Sequence, residues 1–236
     1  MIGRRTSLWS PAIGAEGGVL AYGHYGRPLL AFPSQEGPAW QYEERGMIGA
    51  IAGLIEAGRV KVYAVDSFDS GSWYREGLSL EERAQQHGRY EDWIVNQVVP
   101  FIRADSGDGA EIALTGVSFG AYHAANFAAR YPDVVSRAIC FSGVFDNYSF
   151  LDGYWDDTCY FHCPVANIAN MDAEWVGKLS RVNWIIATGE HDTLVQQNRD
   201  FSQLLWSKGI PNHAEFWNGV FGHDWPWWRE HLRRFV

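Results

Sequence analysis

The chain has 236 residues, enough to bury a large core and to form one α/β domain, since such folds often run past about 200 residues undivided. Its formal net charge of -9 leaves no basic face for nucleic acid or anionic lipid. No apolar stretch approaches the roughly 20 residues that cross a bilayer, and no apolar export signal follows Met1. We therefore expect a cytoplasmic protein with no nucleic-acid or membrane partner, although a mature secreted form would look the same.

Three cysteines, Cys140, Cys159 and Cys163, form an odd set, which argues against a disulfide framework. His162 places a third soft ligand beside Cys159 and Cys163, but no second ligand pair elsewhere completes a standard zinc pattern. We interpret the cysteines as core thiols or as one isolated disulfide. We expect no metal and no cofactor.

The first part of the chain alternates glycine-rich turns with short apolar runs. This alternation predicts antiparallel strands around Leu8, over 19–22 and over 28–33. His24 falls in a predicted hairpin turn, where we expect a surface residue. A loop rich in glycine and proline follows, and then a helix is predicted over about 43–57.

The next predicted strand covers 59–65, and a polar, aromatic loop covers 66–74. Ligands of open α/β sheets bind outside the carboxyl ends of the strands, so this loop offers three candidate pocket residues: Asp66, Asp69 and Trp73. A solvated loop is the alternative. A helix is predicted over about 80–102, where Pro100 could introduce a kink.

A strand, a sharp turn and a helix are predicted around Ser118. The apolar run 112–114 enters Gly116-Val117-Ser118-Phe119-Gly120, and an alanine-rich helical segment follows. Gly116 and Gly120 lack a Cβ, so strand and helix can approach closely around a strained serine. Ser118 could also be an ordinary N-cap, but the strand before it and the helix after it favour a nucleophile elbow.

Two further strands are predicted over 135–142 and 182–188, separated by the aromatic and acidic segment 143–181. This segment is too long for a simple connection. We interpret it as a small helical cap that selects substrate and includes Trp155, with an aromatic helical satellite of the sheet as the alternative. A last strand over 213–219 and a closing helix complete a predicted single domain over 1–236.

Three residues at predicted strand ends complete a hydrolytic set in the order Ser118, Asp192, His223. Ester cleavage needs an activated serine, a base that removes its proton, and a carboxylate that orients the base. The nucleophile, acid, histidine order is that of α/β-hydrolases. The backbone N–H groups of Phe119 and, from the loop before the first helix, of Gln35 would form the oxyanion hole, although that loop could also be a plain connection.

Other residues compete for two of these roles. Glu190 lies two residues before Asp192, but Asp192 stands where a Gly-x-x-Asp turn follows a strand. His213 is predicted at the start of the last strand, and His231 within the closing helix. We therefore prefer Asp192 as the acid and His223 as the base.

Three motifs make the chain similar to a known family: Gly-Val-Ser118-Phe-Gly, Gly-Glu-His-Asp192 and Gly-His223-Asp-Trp-Pro-Trp-Trp. Over about 29–235 it resembles the Putative esterase family, which includes esterase D, S-formylglutathione hydrolases, feruloyl and acetyl-xylan esterases and the antigen 85 mycolyltransferases. The resemblance implies an α/β-hydrolase fold with a mostly parallel central sheet and helices on both faces. The loop 32–34 departs from the family, which has Leu-His-Gly or Leu-Asp-Gly at the oxyanion position.

From these patterns we expect a serine carboxylesterase that acts through a Ser118 acyl-enzyme on a small-molecule ester. Aromatic residues make up 15% of the chain, and Trp73, Trp155 and Trp225 near the predicted mouth would suit aryl or sugar esters. The alternatives are an acyltransferase that uses the same triad and a catalytically silent hydrolase fold that binds a ligand. The sequence carries no signal for the oligomeric state.

Overall fold

The computed structural model describes residues 3–107 and 111–236. An eight-stranded mixed sheet runs through the described chain in the order β1-β2-β4-β3-β5-β6-β7-β8. Its strands are β1 (Arg4–Ser10), β2 (Ala15–Tyr22), β3 (Arg27–Phe32), β4 (Val60–Val65), β5 (Ile112–Val117), β6 (Val135–Phe141), β7 (Asn183–Gly189) and β8 (Asn212–Trp217). β2 is antiparallel to both of its neighbours, β1 and β4, and the strands β3 to β8 are all parallel to one another. The fold is that of the α/β-hydrolases, as predicted.

The prediction of a hairpin at His24 is wrong: β3 runs opposite to β2 but does not pair with it, and pairs in parallel with β4 and β5. β4 lies between β2 and β3, so the chain crosses one strand before β3 begins. Gly26 has a φ of +118°, and a Cβ there would lie 2.5 Å from the backbone of Val60. Because glycine has no Cβ, the connection can pass this close to the start of β4. His24 itself is exposed, as expected.

Eleven α-helices lie in the described part of the chain. They are α1 (Gln41–Glu44), α2 (Met47–Ala50), α3 (Ala52–Glu56), α4 (Leu80–Trp93), α5 (Val99–Ser106), α6 (Phe119–Arg130), α7 (Asp157–Phe161), α8 (Pro164–Ala169), α9 (Ala173–Leu179), α10 (Val195–Ser207) and α11 (Trp225–Phe235). The helix predicted over 43–57 is broken, because Gly46 takes a φ of +77°. The helix predicted over 80–102 contains a π-helical segment, Ile94–Val98, one turn from Pro100.

The hydrophobic core lies on both faces of the sheet. One cluster contains residues of α4, α5, α6 and α10, among them Trp93, Phe127 and Phe201. The opposite cluster contains residues of α1, α2, α3 and α11, among them Tyr42 and Trp228. Burial on both faces explains the apolar runs 29–32 in β3, 112–114 in β5 and 184–187 in β7.

The segment 143–181 is largely helical and packs on the sheet and on α6. Leu151 and Cys159 form a third buried cluster with Phe119, Tyr122 and Trp73. The three cysteines are buried free thiols. The role of this segment as a cap, and the division of the chain into one domain, stay predictions.

No helix in the described ranges combines the length and the apolar character needed to span a bilayer.

Candidate active site

The strand–turn–helix around Ser118 has the geometry of a nucleophile elbow. Ser118 takes a φ of 55° and a ψ of -121° between β5 and α6, and its side chain makes no capping hydrogen bond to the helix. A Cβ on Gly116 would lie 2.0 Å from the Gly120 carbonyl oxygen. Strand and helix therefore touch through two residues without side chains, which leaves the serine side chain at the turn.

Two loops beyond β7 and β8 bring Asp192 and His223 together. Asp192 follows β7, and His223 lies between β8 and α11. The loops meet at Gly189 and Gly222, where a Cβ on Gly222 would lie 2.5 Å from the Gly189 Cα. The acid and the histidine are thus placed by a contact between two backbones.

Ser118, His223 and Asp192 form one hydrogen-bonded line. His223 Nε2 lies 3.1 Å from Ser118 Oγ. His223 Nδ1 lies 3.0 Å from Asp192 Oδ2 and 3.1 Å from Oδ1. The histidine side chain is 24% exposed, whereas the aspartate is fully buried. With Nδ1–H directed at the carboxylate, Nε2 is free to accept the serine proton.

The Asp192 carboxylate is held by more than the histidine. Leu194 N–H donates to Oδ1 at 2.9 Å, and the Thr188 hydroxyl donates to Oδ2 at 2.5 Å. Burial by itself would raise the pKa of Asp192, but the hydrogen bonds from His223, the Leu194 amide and Thr188 outweigh it and hold the pKa below its usual range. The carboxylate is therefore ionised at neutral pH and stabilises a positive imidazole.

A second row of side chains supports Thr188, and sequence reasoning missed it. Ser142, which follows β6 and has a φ of 49°, lies 3.0 Å from the Thr188 hydroxyl. Trp228 Nε1–H donates to Ser142 Oγ at 3.0 Å. The one available signal was the position of Trp228 in the motif that follows His223.

The loop 33–39 leaves one peptide N–H unused. The other N–H groups of this loop all donate: Ser34 to Gln41 Oε1 (2.8 Å), Glu36 to Asp69 Oδ2 (2.8 Å), Gly37 to Ser34 O (2.9 Å) and Ala39 to Asp66 Oδ1 (2.7 Å). Among the described residues, the Gln35 N–H has no acceptor. It is therefore available to a ligand.

The Phe119 N–H is free in the same sense, since it belongs to the first residue of α6 and has no acceptor within the described ranges. The loop and the helix start are in contact: a Cβ on Gly120 would lie 2.2 Å from the Pro33 carbonyl oxygen. Two unpaired amides, those of Gln35 and Phe119, thus come from segments that meet at the elbow. The positive end of the α6 dipole adds to their affinity for an anion.

The other acids and histidines near these residues in sequence make no hydrogen bond to Ser118 or His223 in the described structure. Glu190 accepts the Gly219 N–H at the surface, and Asp224 caps α11. His213 is exposed beside Glu215. His231 stacks on Trp217, with ring centroids 4.1 Å apart.

The three tryptophans expected to bind substrate differ in exposure. Trp73 is 1% exposed and packs behind Phe119, so it supports the site from within the core and offers no surface to a ligand. Trp155 is 43% exposed and lies against Tyr148, with ring centroids 5.3 Å apart. Trp225 begins α11 and packs edge-on against Trp228 at 5.0 Å.

Comparison with known proteins gives one family and one fold. The sequence model of the family described as Putative esterase matches residues 35–235. Acetylxylan esterase A of Aspergillus awamori is 23% identical over 172 residues, which cover 71% of this chain and 54% of that protein, so the chain spans about half the length of this curated relative. The structure of a ferulic acid esterase matches with a TM-score of 0.79 at 17% identity, over 99% of this chain and 96% of that one. The S-formylglutathione hydrolase of Staphylococcus aureus matches with a TM-score of 0.70 at 17% identity, over 98% and 96%.

Proposed function

This chain belongs to the Putative esterase family, and on that premise we propose that it is a serine carboxylesterase. The observation that carries the proposal is the line from Ser118 Oγ through the His223 ring to Asp192, with contacts of 3.1 and 3.0 Å. A nucleophile, a base and an orienting carboxylate in hydrogen-bond contact are what acyl transfer through serine requires.

In the proposed reaction, Ser118 Oγ attacks the ester carbonyl carbon while His223 Nε2 takes its proton. Asp192 stabilises the imidazolium that forms. The N–H groups of Phe119 and Gln35 bind the oxyanion of the tetrahedral intermediate. His223 then protonates the leaving alcohol, and the acyl group stays on Ser118 until water, activated by the same histidine, releases the acid.

The substrate we propose is a small ester with an aromatic or sugar component. The half-exposed pair Tyr148 and Trp155 and the exposed Phe221 offer flat apolar surfaces of the kind that bind aryl groups and sugar faces. A matched relative is named an acetylxylan esterase, and a structural neighbour a ferulic acid esterase. Both names agree with this substrate class.

Burst kinetics with p-nitrophenyl acetate test the proposal. The wild type should release a burst of p-nitrophenol stoichiometric with enzyme, because acylation precedes deacylation. Ser118→Ala should abolish the burst. Ser180→Ala, at the end of α9, is the matched serine control and should keep it.

Equal, slow release by wild type and Ser118→Ala would refute the proposal and leave a fold that binds esters without turnover. If the burst is observed, the partition of the acyl group between water and an added alcohol distinguishes hydrolysis from acyl transfer.

A further inference from the structure

A second pair of acid and histidine lies buried beside the triad. Asp69 belongs to a 3₁₀ turn, Asp69–Gly71, beyond β4, and His123 lies on α6, five residues after Ser118. His123 Nε2 is 2.8 Å from Asp69 Oδ1, and the two side chains are 2% and 1% exposed. Neither residue touches Ser118, His223 or Asp192 through a hydrogen bond in the described structure.

The second oxygen of Asp69 binds the loop 33–39, which carries Gln35. Asp69 Oδ2 accepts the Glu36 N–H at 2.8 Å. Glu36 has a φ of 54°, a left-handed conformation that residues other than glycine adopt only where their surroundings hold them. The buried carboxylate supplies that hold, since charge-assisted hydrogen bonds to peptide groups are among the stronger ones.

The Glu36 amide matters because of its neighbour. Gln35 lies between Ser34, whose N–H is bound by Gln41, and Glu36, whose N–H is bound by Asp69. Because the hydrogen bonds on both sides fix the neighbouring peptide groups, the Gln35 N–H is held in one orientation. It is also the one N–H of this loop without an acceptor among the described residues.

His123 gives the carboxylate a fixed partner on the nucleophile helix. The imidazole is enclosed by aromatic rings, with centroids 5.1 Å from Phe119 and 5.9 Å from Phe32. A hydrogen bond in such surroundings is stronger than in water, and an unpaired carboxylate there would be costly. The loop that carries Gln35 and the helix that begins at Phe119 are thereby joined through Asp69.

We propose that Asp69 and His123 are positioning residues that align the Gln35 amide with the Phe119 amide, so that both face the same oxyanion. This inference rests on the proposed esterase function. The direction of the second oxyanion donor, the Gln35 N–H, then depends on a buried hydrogen-bonded pair that makes no hydrogen bond to Ser118, His223 or Asp192 in the described structure.

Steady-state kinetics of Asp69→Ala, Asp69→Asn and His123→Phe with p-nitrophenyl acetate test the inference. Loss of a complete oxyanion donor reduces kcat by about 10²- to 10³-fold, and a misdirected donor should cost part of this, roughly 10- to 100-fold, with KM nearly unchanged. Asp69→Asn keeps an acceptor for the Glu36 N–H and should recover part of the loss. The double variant Asp69→Asn, His123→Phe should lose no more than the poorer single variant, since both act through one contact.

Active-site titration with diethyl p-nitrophenyl phosphate counts the competent sites, so a loss of folded protein is separated from a loss of kcat. Asp105→Asn is the matched control, because Asp105 is also a carboxylate that binds several side chains but makes no hydrogen bond to the elbow among the described residues. Its partners are Arg4, Lys61 and Tyr63. It should lower the midpoint of urea unfolding and leave kcat per titrated site unchanged. If Asp69→Ala fails to fold, Asp69→Asn and His123→Phe carry the comparison.

A kcat per titrated site within about twofold of wild type in the Asp69 and His123 variants would overturn the inference. A wild type without a burst would instead refute the proposed function, so the two failures are distinguishable. A rise in KM with kcat unchanged would also overturn it, because it would place these residues in substrate binding.

Discussion

Thr188 shows how much of this site depends on groups that never meet a substrate. Its hydroxyl donates to Asp192 and is itself in contact with Ser142, which accepts from Trp228. Each oxygen of the acid therefore has donors besides the histidine. A carboxylate fixed in this way holds the imidazole in one orientation and one tautomer.

We expect Thr188→Val to lower both the stability of the protein and its kcat without changing the fold. Valine has nearly the same volume but cannot donate to Asp192, and a hydrogen bond to a charged group contributes about 1.5–3 kcal/mol. The free energy of unfolding should fall by roughly that amount, measured in urea. If about 1.4 kcal/mol of it is lost in the transition state, kcat falls about tenfold.

Thr188→Ser is the control, because it keeps the hydroxyl and should retain most of the activity. Full activity in Thr188→Val would mean that the histidine and the Leu194 amide suffice to hold Asp192.

At this scale, the sequence predicted the three residues of the line but not their supports. Ser118, Asp192 and His223 each follow a strand end marked by glycine or by a motif. Asp69 lies in a loop predicted to line the pocket, but His123 is 54 residues away and nothing local indicates that the two are partners. The tertiary structure brings the turn after β4 within hydrogen-bond distance of His123 on α6.

At the scale of elements, the packing of α6 into the sheet decides whether an elbow forms. Every residue from Phe119 to Ala129 is buried, and six of the eleven are alanine or glycine. Small side chains allow the helix to lie close to β5 and β6. The same closeness leaves no room at Gly116 and Gly120.

We expect Gly120→Ala to destabilise the protein by roughly 3–5 kcal/mol, because its Cβ would lie 2.2 Å from a backbone carbonyl that cannot move aside. Gly177→Ala is the matched control: Gly177 lies inside α9 with no atom within 4 Å of an added Cβ. Alanine there should be neutral or stabilise by up to about 1 kcal/mol. Urea unfolding measures both, and a Gly120→Ala protein as stable as wild type would contradict the close packing at the elbow.

The elements that sequence analysis misjudged share a cause. A short apolar run looks the same whatever strand lies beside it, so β3 was predicted to pair with β2, whereas it pairs with β4 and β5. The helix breaks at Gly46 because this residue takes a left-handed conformation, and the sequence does not show which glycine in a helical pattern will do so. Strand partners and local breaks are decided by the rest of the molecule.

At the scale of the whole molecule, stability should fall as the solution becomes acidic. His87 and His162 are buried between α4 and α6. Burial, with Arg130 and His123 nearby, lowers the pKa of His162 to about 3, and burial also lowers the pKa of His87. Burial raises the pKa of the neighbouring Glu91 to about 7 despite Arg130.

The signs of these shifts set the pH window. At pH values between 4.5 and 6.5, the ordinary pKa values of glutamate and histidine, both histidines are protonated in the unfolded chain and neutral in the folded protein. Glu91 opposes this, because the folded state already holds its proton. Because two histidines outweigh one glutamate, the unfolded chain binds more protons than the folded protein, and stability should fall as pH falls through this window.

Urea unfolding at about pH 7 and about pH 5 measures this loss. His162→Gln should reduce the slope, and His24→Gln, at an exposed position, should leave it unchanged. Equal stability of the wild type at both pH values would contradict the predicted net difference in bound protons between the unfolded and the folded protein.

The contact between Gly189 and Gly222 has a consequence for how this molecule can evolve. Because two bare backbones meet there, no substitution at either position can be absorbed by a neighbouring side chain. The aromatic residues Tyr148, Trp155 and Phe221, in contrast, are exposed and hold none of the three members of the line. Under the proposed function, substitutions at these three rings should change substrate preference while the Ser118–His223–Asp192 line keeps its geometry.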